Sequence, residues 1–246
     1  SGLSNPYYYY SNYIYSDGSG GFYGNSVGTS FDGMEKVDVT LGDTDDYLYL
    51  NTGSLANPDA SLKVNGEAGY DTLQGDFTAL GGTTFIDNGD GTVTSNQGSY
   101  AGFEAYRIYL GGGANTVTTG AGDDTVVSYG GTNDNIDGGE GNDYWYGYLQ
   151  DRTDNLTFSY DFSTLTGSLG AGTLKNLEYT YVNGGSGDDS FAVRGFGGAQ
   201  LLGNGGIDEL TINQSGLSNP YYYYSNYIYS DGSGGFYGNK IGRAHV

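Results

Sequence analysis

Residues 110–146 read LGGGANTVTTGAGDDTVVSYGGTNDNIDGGEGNDYWY, and a short unit recurs along them. Each unit has small residues and glycines, then Asp or Asn, then one residue, then an apolar residue. The Asp or Asn positions, termed acidic slots, recur at every ninth or tenth position. The slots are Asn115, Asp124, Asp134 and Asp143, and the apolar residues are Val117, Val126, Ile136 and Trp145. Because glycine, Asp and Asn favour tight turns and disfavour helix, each unit predicts a turn followed by a very short strand.

The composition favours an all-β chain with an acidic surface. Of 246 residues, 47 are glycine, 27 are tyrosine and none is cysteine, and the net charge is −21. Without cysteine there is no disulfide and no thiolate metal site. An acidic surface repels nucleic-acid phosphates and anionic lipid, and no apolar run approaches the ~20 residues of a membrane span. We therefore expect neither nucleic-acid binding nor membrane insertion, and divalent cations are the better candidate partners.

A long repeat organises the chain. Residues 1–25 recur unchanged as residues 215–239, so the chain contains one long period, residues 1–214, and the beginning of another. We therefore expect neighbouring repeats of the same chain to be its structural partners. Shorter repeats starting at Phe31, Tyr100 and Leu174 lie inside the period.

These repeats predict five segments: a Tyr-rich end of a preceding period (1–30), sub-repeat 1 (31–99), sub-repeat 2 (100–173), sub-repeat 3 (174–239) and a final segment (240–246). The final segment departs from the repeat and contains the single histidine, His245. It resembles the translation of a common sequencing adapter, so we expect it to be an artefact. A natural C-terminal tail is the alternative.

Each sub-repeat is predicted to begin with an alternating strand, to continue through acidic turns and to end in a polar or aromatic tail. Val37 and Val39 share one parity, as do Tyr106 and Ile108, which is typical of a strand with one buried face. Sub-repeats 1 and 3 are each predicted to have one slot without an acidic residue. Leu62 occupies that slot in sub-repeat 1, and Ala199 occupies it in sub-repeat 3. The tails, which include residues 85–100 and 156–173, lack the acidic units.

Two units match the nine-residue pattern GGxGxDxUx, where U is a large apolar residue, at residues 138–146 and 184–192. They resemble the haemolysin-type calcium-binding repeat, also termed the RTX repeat. The resemblance is sharp over residues 110–146 and 182–213, weak near Asp46 and Asp71, and absent from the tails. It implies a right-handed parallel β-roll or β-helix, elongated and with degenerate coils. It also implies a large bacterial tandem-repeat protein, secreted or on the cell surface, that binds calcium.

Elementary chemistry favours calcium at these turns as well. Calcium takes six to eight oxygen ligands, including carboxylates and backbone carbonyls, and glycine lets a turn point several carbonyls to one place. Alternate slots face the same side of the predicted coil, and coils stack about 4.8 Å apart, so one ion could bridge two turns. The candidate ligands are the pairs Asp189 with Asp208, Asp124 with Asp143 and Asn115 with Asp134, the turn glycines Gly138, Gly139, Gly141, Gly184, Gly185 and Gly187, and Asp71 and Asp46 in less regular turns.

The alternative for the same residues is that Asp and Asn only close turns by bonding their own backbone. A calcium-independent structural β-solenoid would then result. A carbohydrate-binding or carbohydrate-active β-helix also stays open, since an exposed aromatic face in the Tyr-rich residues 219–239 would suit contact with cell-surface glycan. The other interpretation of that stretch is a strand or loop that covers the flank of the roll.

The expected function is structural: an extracellular, calcium-stabilised, stalk-like or adhesin-like segment of a larger secreted or surface protein. Catalysis is not expected. Outside residues 240–246 the chain has neither histidine nor cysteine, so the commonest general base and the thiol nucleophile are missing.

Overall fold

The computed structural model describes residues 12–17, 21–26, 28–51, 53, 60–216, 228–230 and 236–238. These residues form strands, turns and loops, which confirms the prediction of an all-β chain. Across the described ranges, no helix has the length and hydropathy needed to cross a membrane. Residues 240–246 and the tyrosines at 221–224 lie outside the described residues.

The strands are short, three to six residues each. In chain order they are β1 (Asn12–Ser16), β2 (Phe22–Ser26), β3 (Thr29–Met34), β4 (Lys36–Thr40), β5 (Tyr47–Asn51), β6 (Ser61–Asn65), β7 (Thr72–Phe77), β8 (Thr84–Asp87), β9 (Thr92–Ser95), β10 (Gly98–Ala101), β11 (Ala105–Leu110), β12 (Thr116–Thr118), β13 (Thr125–Tyr129), β14 (Asn135–Asp137), β15 (Tyr144–Tyr148), β16 (Thr157–Asp161), β17 (Thr166–Leu169), β18 (Gly172–Lys175), β19 (Tyr179–Asn183), β20 (Ser190–Arg194), β21 (Gly198–Leu202), β22 (Glu209–Asn213), β23 (Ile228–Ser230) and β24 (Phe236–Gly238).

Two long sheets and one hairpin contain all of these strands. Sheet A has the order β21-β19-β15-β13-β11-β7-β5-β1-β2-β3, sheet B has the order β22-β20-β16-β17-β18-β14-β12-β8-β9-β10-β6-β4, and β23 pairs with β24. Through the acidic turns the chain alternates between the sheets, with β11, β13 and β15 in sheet A and β12 and β14 in sheet B. Neighbours such as β13 and β15 are parallel. The prediction that successive slots lie on opposite sides is therefore confirmed.

The apolar residue of each unit lies in the core. Val117, Val126 and Ile136 are each 1% exposed and Trp145 is fully buried. The ring of Trp145 in sheet A stacks on that of Phe158 in sheet B, with centroids 6.2 Å apart and planes 11° apart. Side chains from the two sheets thus meet in one core, as the two-residue spacing after each slot predicts.

The tails form three-stranded antiparallel units, which a uniform parallel roll does not contain. β8–β9–β10 and β16–β17–β18 are inserted in sheet B, and β1–β2–β3 extends sheet A. In the first of these inserts β10 pairs in parallel with β6, and β8 pairs in parallel with β12. The sheets are therefore mixed, and the tails are integral parts of them.

Within the Tyr-rich residues 1–30, β1 and β2 are strands that extend sheet A, so the strand part of the second interpretation holds for the described residues. β1 pairs in parallel with β5 and in antiparallel with β2. Ile14 and Phe22 are fully buried in the core. The ring of Tyr15 stacks on that of Tyr23, with centroids 5.2 Å apart.

The positions of the two lost slots differ from the prediction by two residues. Leu62 pairs with Val37 and is 1% exposed, so it is a core residue and Ala60 occupies the slot. Ala199 pairs with Thr180 in β19, the second residue after the slot position, so the slot before β21 is Gly197. A slip of two residues keeps every side chain on its predicted face, and the alternation of apolar residues therefore does not reveal it.

Candidate metal site in the acidic turns

Each slot residue lies immediately before a strand, where its turn enters the sheet, and most of them are almost completely buried. The exposed fractions are 0% for Asp71, 1% for Asn115, Asp124, Asp143 and Asp189, and 4% for Asp134. Asp46 is half-buried and Asp208 is exposed. Buried carboxylates at this density need hydrogen bonds or cations to offset the loss of water.

The structure brings together all three pairs proposed from the sequence. In each pair the backbone N–H of the first slot donates to Oδ1 of the second, 19 residues later. The donor-acceptor distances are 2.9 Å for Asp124 to Asp143, 3.1 Å for Asn115 to Asp134 and 2.9 Å for Asp189 to Asp208. Asp46 and Asp71 are joined in the same way, at 2.8 Å. We term this series of bonds the acidic ladder.

Two glutamates outside the predicted ligands extend the ladder. Asp71 N–H donates to Oε2 of Glu104 at 2.7 Å, and Asp143 N–H donates to Oε2 of Glu178 at 2.8 Å. Both glutamates follow a three-stranded insert, 33 and 35 residues after their partners. The two glutamates occupy equivalent positions when the sub-repeats are aligned, but neither is preceded by a glycine-rich acidic turn.

The second carboxylate oxygen of a slot faces the slot's own turn. Oδ2 of Asp46 accepts Gly42 N–H at 3.2 Å, and Oδ2 of Asp189 accepts Gly185 N–H at 3.3 Å. A Cβ atom at Gly184 would lie 2.5 Å from that same Oδ2 of Asp189. It would also lie 2.9 Å from the backbone oxygen of Leu202, which cannot move aside as a side chain can, so this turn requires glycine at its start.

The remaining candidate glycines pack turn against turn. Gly139 and Gly141 have positive φ angles of 83° and 130°. A Cβ at Gly139 would lie 2.0 Å from Gly120 O, and one at Gly141 would lie 2.2 Å from Gly122 O. In sub-repeat 3, Gly185 and Gly187 approach the backbone oxygens of residues 152 and 154. These glycines thus allow successive turns to stack backbone on backbone.

Replacing Gly138 with alanine should destabilise the fold by about 1–3 kcal/mol through overpacking. Its Cβ would lie 2.3 Å from Asn176 O and 2.7 Å from Asp143 Cβ, and neither atom is the end of a flexible chain. Gly81→Ala is the matched control, because no atom lies within 4 Å of its Cβ position and its φ is not positive. Urea denaturation followed by circular dichroism measures both. Equal stability of the two variants would contradict the close packing at Gly138.

Four slots have a buried carboxylate oxygen without a hydrogen-bond partner. They are Oδ2 of Asp71, Asp124, Asp134 and Asp143. Burial raises the pKa of Asp143 to about 8, with a smaller upward contribution from the neighbouring Asp124 and Glu178 carboxylates. Burial also raises the pKa of Asp124 to about 7, although Tyr106 N–H donates a hydrogen bond that lowers it. In the folded chain the ionised form of these two carboxyl groups is therefore higher in free energy than it is in water.

Calcium fits this donor set only with help from the backbone. Among the described residues, no three His, Cys, Asp or Glu side chains are grouped so that they could hold a metal ion. An ion would therefore take one or two carboxylates and complete its shell with turn carbonyls, a mixture that calcium accepts. The free Oδ2 atoms of Asp143, Asp124, Asp134 and Asp71 supply such carboxylates. Asp189 and Asp208 fit less well, because Oδ2 of Asp189 already accepts an N–H and Asp208 is exposed.

Fold and ladder together define an all-β repeat chain built on two long, largely parallel sheets. The sequence matches no protein-family model, and comparison with curated proteins and with solved structures finds no match.

Proposed function

We propose that this chain is a structural segment of a calcium-stabilised tandem-repeat array, with the finer architecture of a right-handed parallel β-roll or β-helix. The array belongs to a larger secreted or cell-surface protein, where it acts as a stalk or as an adhesin-like spacer. The proposal assigns no catalytic activity to the segment. The resemblance of residues 138–146 and 184–192 to the haemolysin-type repeat supports the extracellular location and the calcium.

The observation that carries the proposal is the set of buried, unpartnered carboxylate oxygens in the acidic ladder. Asp124 and Asp143 are each 1% exposed, lie in successive turns on the same side, and each has an Oδ2 without a partner. Two carboxylates in such a place repel each other, and a divalent cation relieves the repulsion. Calcium would bind the folded chain and not the unfolded one, and would therefore stabilise the fold by mass action.

The test is thermal melting followed by circular dichroism in millimolar calcium and then in excess chelator. We expect the melting temperature to fall on chelation and to recover when calcium is restored. Magnesium at the same concentration should restore less, because it demands a tight octahedral shell and retains its water. A melting curve that does not respond to calcium or chelator would leave a calcium-independent solenoid, in which the hydrogen bonds of the ladder suffice.

A second candidate function, contact with glycan, is favoured by a row of tyrosines on the outer face of sheet A. Tyr144, Tyr146 and Tyr148 alternate along β15, and their rings contact those of Tyr179 and Tyr181 at centroid distances of 5.4–5.9 Å. Tyr144 is 41% exposed. Aromatic rings with a polar tip suit wet interfaces such as sugar surfaces. Binding to a glycan array that is lost in Tyr144→Ser/Tyr146→Ser would support this function, and absence of binding to any glycan would exclude it.

A further inference from the structure

The end strand of sheet B exposes apolar side chains that its neighbour buries. Leu210 and Ile212 of β22 are 54% and 45% exposed. They pair with Phe191 and Val193 of β20, which are 3% and 4% exposed. The core row of sheet B therefore reaches β22 and lacks a following strand within the described residues. An open, apolar edge of this kind is a template for another strand.

At two places inside the chain, the last acidic slot of one sub-repeat is bonded to the beginning of the next. Asp71 N–H donates to Glu104 Oε2 at 2.7 Å, and Asp71 O accepts the N–H groups of Glu104 and the next residue at 3.0 and 3.1 Å. Asp143 and Glu178 form the same three bonds, at 2.8, 3.0 and 3.1 Å. We term this arrangement the Asp–Glu clasp.

Each clasp begins a pair of parallel strands and encloses a three-stranded insert in the opposite sheet. β7 pairs with β11 in sheet A, and β8–β10 between them lie in sheet B. β15 and β19 enclose β16–β18 in the same way. In both clasps the residue after Asp pairs with the residue after Glu, as Thr72 does with Ala105 and Tyr144 with Tyr179.

Sub-repeat 3 has the same parts, divided between the end of one period and the start of the next. Asp208 precedes β22, and the hairpin β23–β24 follows it. That hairpin repeats the register of β1–β2, since Ile228 pairs with Gly238 as Ile14 pairs with Gly24. In the first copy the insert is completed by β3 and is followed at once by Glu35 and β4.

Glu35 aligns with Glu104 and Glu178 in the three sub-repeats. The two internal clasps span 33 and 35 residues. Because residue 215 repeats residue 1, the Glu35 of a following period would come 41 residues after Asp208, six to eight more than in the internal clasps. Asp208 and Glu35 are both exposed, in contrast to the buried Asp71 and Asp143.

We propose that consecutive periods are joined by a third Asp–Glu clasp, formed by Asp208 of one period and Glu35 of the next. β22 then pairs in parallel with β4 of the following period within sheet B. The partner of this surface is a second copy of the same sequence. The inference rests on the proposed tandem array but not on its calcium.

The register of the internal clasps, applied to this joint, brings complementary residues together. Glu209 faces Lys36, so opposite charges are paired across the strands. Leu210 faces Val37 and Ile212 faces Val39, which continues the apolar row of sheet B over the joint. The outward pair is Thr211 with Asp38. The array is consequently one uninterrupted stack without flexible linkers between periods.

A disulfide tests the joint in a two-period chain, residues 1–214 followed by residues 1–246. Thr211→Cys is placed in the first period and Asp38→Cys in the second, in a protein without other cysteines. Directly paired strand residues lie within disulfide range, so both free thiols should be lost on mild oxidation, without dimerisation. Thr211→Cys with Thr40→Cys is the control: a shift of two residues adds about 6.6 Å along the strand and should leave the thiols free.

A second measurement compares one substitution at two places. Glu35→Ala in the second period removes the acceptor of Asp208 N–H and should lower the melting temperature, whereas Glu35→Ala in the first period should leave it unchanged. Three results would each overturn the joint. They are equal shifts in melting temperature for Glu35→Ala in the two periods, free thiols in the Thr211→Cys/Asp38→Cys chain, and disulfides that form only between molecules. Cross-linking is run in calcium and in chelator. Formation of the intramolecular disulfide in either buffer supports the joint. If calcium does not alter the melting temperature, that result contradicts only the proposed calcium binding.

Discussion

Trp145→Ala is expected to lower the free energy of unfolding by about 3–5 kcal/mol, the usual cost of removing a large aromatic side chain from a core. Trp145 is fully buried, and its ring stacks on Phe158 from the other sheet. Its Nε1–H donates to the Ser128 hydroxyl at 3.1 Å. Gly147 packs against the ring so closely that its Cβ would lie 2.6 Å from the indole. Truncation thus opens a cavity and leaves Ser128 without this donor.

Urea denaturation of this variant is compared with that of Tyr144→Ala, one residue earlier. Tyr144 is 41% exposed on the outer face of the same strand. Surface substitutions of this kind usually change stability by about 0.5 kcal/mol or less. If Trp145→Ala cost no more than Tyr144→Ala, the inward and outward faces of β15 would have been assigned wrongly.

Asp143→Asn is expected to lower stability in calcium but not in its absence. Asparagine fits the slot, as Asn115 shows: its Oδ1 accepts Thr83 N–H at 2.8 Å, and its amide donates to Gly111 O at 3.1 Å. In chelator, burial raises the pKa of Asp143 in the natural chain to about 8, so at neutral pH this carboxyl group must take up a proton on folding. Asparagine is neutral in the folded and the unfolded chain and avoids this cost, so the variant should be as stable as the natural chain or more so. In calcium it loses a charged ligand and should melt at a lower temperature than the natural chain.

Asp143→Ala is the companion variant. It removes the acceptor for Asp124 N–H, a bond of 2.9 Å in a buried setting. An unsatisfied buried donor costs about 1–3 kcal/mol, so this variant should be destabilised in both buffers. Melting of the three proteins in calcium and in chelator separates the two roles of the side chain. A reduced melting temperature of Asp143→Asn in both buffers to the same degree would show that the carboxylate acts without calcium.

The spacing of residues within each short unit was sufficient to predict much of the fold. The slot residues and the apolar residues two positions later lie where the sequence predicts, because turn and strand are determined within one short unit. The three slot pairs at 19 residues also follow from this spacing. Each link depends only on glycine turns and on side-chain alternation, both of which are visible along the chain.

Longer-range features were beyond the same reasoning. The antiparallel inserts place β8 beside β12, and the clasp joins Asp143 to Glu178 over 35 residues. No periodicity near Glu178 predicts this contact, because the contact depends on the number of residues in the insert. The assignment of the two lost slots to Leu62 and Ala199 was wrong for a related reason. Where a turn varies in length, alternation determines which face a residue is on but not its position along the strand.

The most direct test of calcium-stabilised folding is isothermal titration of calcium into the chelator-treated, purified chain at neutral pH. Calcium-stabilised folding predicts saturable binding, with a dissociation constant on the order of 10⁻⁴ to 10⁻³ M, as in extracellular calcium modules. It also predicts fewer ions bound by Asp143→Asn than by the natural chain. An absence of binding heat at millimolar calcium, with the β-sheet signal of the chain intact, would contradict calcium-stabilised folding.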